Sequence, residues 1–238
     1  MKATPRKLLR AIPWFKGLSN EALTYLSRHI RVQRFPAGTV LFVQGEIPDF
    51  CYIALEGSIE LFVTDEESST ESLVEISNAP NAYTMAAVLL GAPYIVSGRT
   101  ITVTTTLLLD ASAFRKSIRK NPKLAINLLG LISWQFRNMV RQVVSLKSKS
   151  TSERLGCYLL MLAQTSPGKI KLPLDRKRLA SQLGMTKMSL LRAFRTLSAH
   201  GVQIRGEYIA IANSEQLRAY SKPDRLTNNS ERRLKLAD

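Results

Sequence analysis

At 238 residues the chain is long enough to bury a real core, and the usual size of a compact domain makes it two domains rather than one. A composition of 45% hydrophobic and 22% charged residues excludes extended disorder, and a formal net charge of +16 favours a polyanionic partner, nucleic acid or an acidic membrane surface. The 2 cysteines, Cys51 and Cys157, are too few for a disulfide framework or a four-thiolate cluster, and no apolar run nears the roughly 20 residues that span a bilayer.

The chain starts Met1-Lys2-Ala3-Thr4-Pro5-Arg6-Lys7, without the apolar stretch of a secretory signal, so the expected location is a reducing cytoplasm with no membrane partner. Ser19-Asn20-Glu21-Ala22-Leu23 opens a short helix, capped by Ser19 or Asn20. From about Ile30 to Asp110, short alternating or apolar runs punctuated by Gly, Pro, Asp and Asn predict an all-β unit. Its expected strands are 31–35, 39–44, 50–55, 58–63, 71–76 and 99–108. Cys51 alternates with Ile53 and Leu55, as a buried structural cysteine would.

A helical rhythm begins at Asn121-Pro122. Ala125, Leu129, Ile132, Phe136, Met139, Val143 and Leu146 follow at alternating steps of four and three, one stripe of a long helix. Heptad spacing favours a dimer seam over a helix lying against its own sheet. Residues 147–152 (KSKSTS) are small, polar and charged, and read as a hinge or helix junction and as the domain boundary. A second amphipathic helix over 153–164 ends at Ser166-Pro167-Gly168.

The stretch from Asp175 to Arg195 is the most informative. Asp175 can cap a first helix whose buried side is Leu179 and Leu183; Gly184 stands where a turn needs positive φ; Thr186 can cap a second helix with Leu190 and Phe194 inward. Ala180 is small where two crossing helices must approach, so the spacing is that of a helix-turn-helix. Two short β-runs around Arg205-Gly206 then add a wing. Over 169–238, 15 Lys and Arg stand against 6 Asp and Glu, so +9 of the chain's +16 lies with the motif.

A recognition helix entering the major groove shows its first turns to base edges while flanking cations meet phosphates. The expected DNA contacts are Thr186, Lys187, Met188, Ser189 and Arg192 in the groove, with Arg176, Lys177, Arg178, Arg195 and Arg205 on the backbone. Arg192 is placed to grip a guanine edge, and Met188 to touch a thymine methyl. No nucleophile with a base, metal-ligand spacing or phosphate loop is present, so no catalytic residue is assigned and the chain reads as a non-enzyme. A stand-alone small-molecule sensor or a basic protein without specific readout is the rival class, and neither needs a capped recognition helix followed by a wing.

With these segments in order, the chain resembles the cyclic-AMP receptor protein and fumarate–nitrate regulator family of bacterial transcription factors. The run Pro36-Ala37-Gly38-Thr39-Val40-Leu41-Phe42-Val43-Gln44-Gly45-Glu46, followed by Tyr52-Ile53-Ala54-Leu55-Glu56-Gly57, is similar to the family's β-roll signature. The second half is similar in particular to regulators of nitrogen-oxide respiration. The resemblance implies an α+β fold: an N-terminal β-roll of the cyclic-nucleotide-binding type over 1–120, a dimerisation helix over 121–149 and a winged helix-turn-helix over 150–222; the stretch 223–238, rich in Lys, Arg, Asn and Ser, is expected to be a flexible basic tail. It implies double-stranded DNA, a second copy of the chain and RNA polymerase as partners, on a palindromic operator.

Departures from the family pattern bear on the effector. Cyclic-AMP-binding members hold the ribose and phosphate with a Gly-Glu-Leu stretch and an Arg-Ser pair; the matching region here, 81–96, has no Glu and no Arg. Cyclic AMP is therefore not expected, and the two cysteines argue against the iron–sulfur cluster of the fumarate–nitrate regulators. Haem stays open, although His29 and His200 fall outside an apolar sensor pocket on this reading. Tyr83, Met85, Leu89 and Tyr94 are the expected lining of an effector pocket, the effector being unknown. Met188 stands where many relatives carry a Glu, so the half-site bases need not be the family's usual ones.

Overall fold

The computed structural model describes residues 4–65, 67–165, 169–172, 175–205 and 208–224, with the backbone alone at Thr165, Lys169, Lys171 and Arg205. The chain divides into two compact units between Ser133 and Trp134, inside one long helix.

The first unit opens with α1 (Pro5–Ala11), a 3-10 turn (Pro13–Phe15) and α2 (Asn20–Ser27), the last capped by Ser19, whose Oγ accepts from the Ala22 N–H at 3.2 Å. Then come β1 (Ile30–Phe35), β2 (Val40–Phe42), β3 (Phe50–Glu56), β4 (Ser58–Thr64), β5 (Glu71–Asn78), β6 (Asn81–Tyr83), α3 (Met85–Leu90), β7 (Ser97–Thr100), β8 (Thr104–Asp110), α4 (Ala111–Lys120) and α5 (Pro122–Ser148). The strands form two antiparallel four-stranded sheets, β1-β8-β3-β6 and β2-β7-β4-β5. The expected strand 99–108 is therefore two strands in different sheets, because residues 101–103 turn the corner between them. Period-two alternation runs straight through such a corner and does not reveal it. The corner is tight: Gly57 has φ +91°, and a Cβ there would lie 2.7 Å from the Val103 carbonyl oxygen.

The central strands β8 and β3 of the β1-β8-β3-β6 sheet are buried on both faces, whereas β1 at its edge is mostly exposed. Cys51, Ile53, Leu107 and Leu109 pack outward with Leu9, Phe15, Phe114, Leu124 and Leu128 from the helices, while Phe42, Ala54, Ile59, Tyr83 and Tyr94 fill the space between the sheets. Asn127 of α5 anchors that helix by donating to the Trp14 and Lys16 carbonyls at 3.0 and 2.9 Å. Burial pushes the Cys51 thiol up to about 12, which fits a structural cysteine and not a reactive one. The periodicity alone does not mark α1, α3, α4 or β6; α4 is nonetheless signalled locally by its Asp110 cap, which accepts from the Ala113 N–H at 2.7 Å.

The second unit holds the last turns of α5 and then α6 (Thr151–Thr165), β9 (Lys169–Lys171), α7 (Arg176–Gln182), α8 (Lys187–Ser198), β10 (Val202–Arg205), β11 (Tyr208–Ile211) and α9 (Ser214–Ser221). Strands β10 and β11 pair antiparallel from Val202↔Ile211 to Arg205↔Tyr208, and β9 adds to β11 as a third strand. Leu155, Leu159, Ile170, Leu179, Leu190, Phe194, Leu197, Val202, Ile209 and Leu217 make one core under these elements. The expected turn at 166–168, the tip of the wing at 206–207 and the basic tail from Arg225 lie outside the described residues.

Candidate nucleic-acid interface

Two side-chain caps and one glycine build the helix pair. Asp175 Oδ1 accepts from the Arg178 N–H at 2.9 Å, and Thr186 Oγ1 accepts from the Ser189 N–H at 3.1 Å. Between them Gly184 takes φ +62°, its N–H donating to the Ser181 carbonyl and that of Met185 to the Ala180 carbonyl, both at 2.9 Å. Ala180, at the crossing, is buried. The cap bonds from Arg178 hold Asp175 below the usual carboxylate range, the Arg178 backbone N–H contributing most.

Helical spacing then sorts α8 into two faces. Leu190, Ala193, Phe194 and Leu197 are buried; Met188, Leu191, Arg192 and Arg195, stepping three and four residues apart, form the opposite, exposed stripe. Met188, a large apolar side chain, is 60% exposed. Lys187 and Thr186 are exposed beside it and Ser189 is half-buried. The first turn of α8 contains no acid and begins with a lysine, which works against the helix dipole unless an anion sits there. Leu191 belongs to this stripe, and sequence reading missed it although its spacing from Met188 and Arg195 marks it.

The flanking cations differ among themselves. Arg176 and Lys177 are exposed on the first turn of α7, whereas Arg178 is half-buried and bound to Asp175 through Nη1 and Oδ2 at 2.9 Å. Arg178 therefore braces the cap of its own helix, which leaves it less free for a phosphate. Arg205 ends β10, and its side chain lies outside the described residues.

On α5 the heptad stripe is mostly bare. Leu129, Phe136, Met139, Val143 and Leu146 are exposed, as are Ile126, Val140 and Val144; Phe136 is 58% accessible. Ile132 packs against the core of the first unit and Ala125 is half-buried.

Two family profiles account for most of this architecture: a cyclic nucleotide-binding domain over residues 32–121 and a Crp-like helix-turn-helix domain over 153–220. The chain belongs to the cyclic-AMP receptor protein and fumarate–nitrate regulator family. It is a transcription regulator of that type. It is 23% identical over 210 residues to the CRP-like cAMP-activated global transcriptional regulator of Mycobacterium tuberculosis, covering 85% of this chain and 93% of the relative. Among solved structures, FixK2 from Bradyrhizobium japonicum matches with a TM-score of 0.67 at 17% identity, covering 80% of this chain and 96% of the other. A CooA mutant from Carboxydothermus hydrogenoformans matches at 0.69 and 16%, covering 93% and 97%. At these identities the structures speak for the fold alone.

Between the two sheets of the β-roll the side chains are largely aromatic. The Phe42 ring lies 4.8 Å from that of Tyr94 and 5.3 Å from that of Tyr52, and the Tyr94 hydroxyl donates to the Phe50 carbonyl at 3.3 Å. Arg99, the guanidinium nearest in sequence to the missing Arg, is held by Glu60 at 2.8 Å and Glu71 at 2.7 Å and stacks on Phe62. The four expected effector contacts do not share one site: Tyr83 and Tyr94 lie between the sheets, whereas Met85 and Leu89 pack on the helical side. His29 sits against Tyr25 and His200 against Tyr220, with ring centroids 4.6 and 4.0 Å apart. Among the described residues no cluster of His, Cys, Asp and Glu is arranged to hold a metal, and no helix is long and apolar enough to cross a membrane.

Proposed function

We propose that the protein is a homodimeric, sequence-specific DNA-binding regulator that reads a palindromic operator with α8 and does so without cyclic AMP, acting by binding and not by catalysis, in the cytoplasm. The observation that carries the reading is the exposed stripe Met188, Leu191, Arg192 and Arg195 on a helix whose opposite side is locked into the core. Arg192 pairs with a guanine edge, Met188 meets a thymine methyl, and Thr186, Lys187 and Ser189 line the entrance. Arg176, Lys177 and Arg195 neutralise phosphates. The bare apolar stripe of α5 supports the dimer, since eight large apolar side chains on one exposed helix are a patch that a second copy would cover.

Independence from cyclic AMP is supported by the commitment of Arg99 to two glutamates and by the aromatic packing between the sheets, because a buried phosphate without a cation is costly. RNA polymerase is the partner on this reading where the protein activates a promoter. Selection of bound sequences from a random DNA pool, at two salt concentrations and with Arg192→Ala alongside, tests the reading. A two-fold palindrome that the substitution degrades is the expected result. Salt-sensitive binding without sequence preference would reduce the protein to a basic nucleic-acid binder.

A further inference from the structure

The corner between α5 and α6 is a helix junction, and several of its small polar residues are tied down. Ser150 donates from both its N–H and its hydroxyl to Glu153 Oε2 at 2.7 Å, and the Glu153 N–H donates back to Ser150 Oγ at 3.3 Å. One residue on, Arg154 spreads its guanidinium over three backbone carbonyls: Nη1 to Lys149 at 2.8 Å, Nε to Leu183 at 2.9 Å and Nη2 to Gly184 at 3.1 Å. The first is just past the end of α5 and the other two are the turn between α7 and α8. The Lys149 ammonium in turn donates to the carbonyls of Ser221 at 3.1 Å and Lys222 at 2.8 Å, where α9 ends. Leu146, from the last turn of α5, lies against Gly184, where an added Cβ would collide with it.

We infer that Arg154 and Lys149 are positioning residues for operator reading, fixing the turn before α8 and the end of α9 to the last turn of α5. The inference rests on the operator reading above. Arginine suits the task because its planar fork presents donors in fixed directions to several acceptors at once, which the point charge of lysine does not. Two half-sites about one helical turn apart must be met by two α8 helices together. A helix free to swing would lose its preference for that spacing before it lost its phosphate contacts.

The test uses the full chain with Arg154→Ala, Arg154→Lys and Lys149→Met. Nitroxides at Gln142→Cys and Thr196→Cys report the distance from α5 to α8 within one protomer when labelled chains are diluted with unlabelled ones; both native cysteines are buried. The parent should give one narrow distance, broadened by Arg154→Ala and partly restored by Arg154→Lys. On the selected operator Arg154→Ala should bind about tenfold more weakly, the scale of one charge-assisted hydrogen bond, with binding to a scrambled duplex unchanged. Its preference over an operator lengthened by one base pair should fall by a similar factor. If Arg154→Ala lowers the melting temperature below the assay range, Lys149→Met, which cuts only the tie to α9, should show the same broadening in weaker form. Unaltered distances together with an intact spacing preference would overturn the assignment. A parent that selects no operator would bring down the operator reading, and the label distances would still decide whether Arg154 holds the corner.

Discussion

Gly184 carries two constraints that a single substitution tests. Its φ of +62° is strained for any residue with a Cβ, and the Leu146 side chain fills the space that Cβ would take. Gly184→Ala should therefore destabilise the second unit by about 1–3 kcal/mol, read by thermal unfolding, and Gly184→Ala with Leu146→Ala should recover only the steric part. Thr186 poses a milder case. Removing its hydroxyl leaves the Ser189 N–H without its cap, and Thr186→Ala should cost about 1 kcal/mol while weakening operator binding, since that cap orients the first turn of α8. Unchanged stability in either variant would mean that the turn relaxes at no cost. The carboxylates of Asp175 and Asp110 titrate below their ordinary range, in each case chiefly because a backbone N–H donates to the ionised form. Their contribution is thus present above the unfolded pKa and is lost as pH falls through the lower folded value, that is, below about pH 4. Asp175→Asn keeps an acceptor for the cap but cannot titrate, so its unfolding midpoint should fall less steeply with pH than the parent's. Parallel curves would place the acid sensitivity elsewhere.

At the scale of elements, α5 offers the sharpest test. Phe136→Glu and Met139→Glu each place a carboxylate in the stripe where a second copy would bury it, and each should weaken self-association on the order of a hundredfold, measured by light scattering over a dilution series. An unchanged mass would move the dimer contact off this helix. The helix-turn-helix and the β-roll signature were legible in the sequence because their determinants are local: a cap, a glycine and apolar residues a few positions apart decide each turn. What failed to show was non-local. The corner between β7 and β8 hides in an unbroken alternation, and β9, three residues long, becomes a strand only because β11 is there to pair with it. The residues expected to line an effector pocket split between two cores because β6 ends at Tyr83 and α3 begins two residues later, which sends Tyr83 and Met85 to opposite sides of the same sheet. Residues 147–152 carry the composition of a linker, and only the neighbouring Glu153 and Arg154 turn them into a braced corner.

Over the whole molecule, charge and signal are separable. An operator contact made by Arg176, Lys177 and Arg195 from each of two protomers neutralises about six phosphates, for which log K should fall against log salt with a slope of about −5. Lys177→Ala removes one such contact per half-site and should flatten the slope by about 2 while leaving the selected sequence unaltered; Arg192→Ala should do the reverse, blurring the sequence and sparing the slope. A sensor that bound cyclic AMP would add a further coupling, because any ligand that prefers the folded state raises its melting temperature, by an amount that grows with the logarithm of ligand concentration above the dissociation constant. The roll has Arg99 paired to Glu60 and Glu71, and Phe42, Tyr52 and Tyr94 pack together between its sheets. Millimolar cyclic AMP should therefore leave both the melting temperature and the operator affinity where they were. A rise of several degrees, or tighter operator binding on its addition, would show that the roll opens its aromatic packing and finds the phosphate another cation.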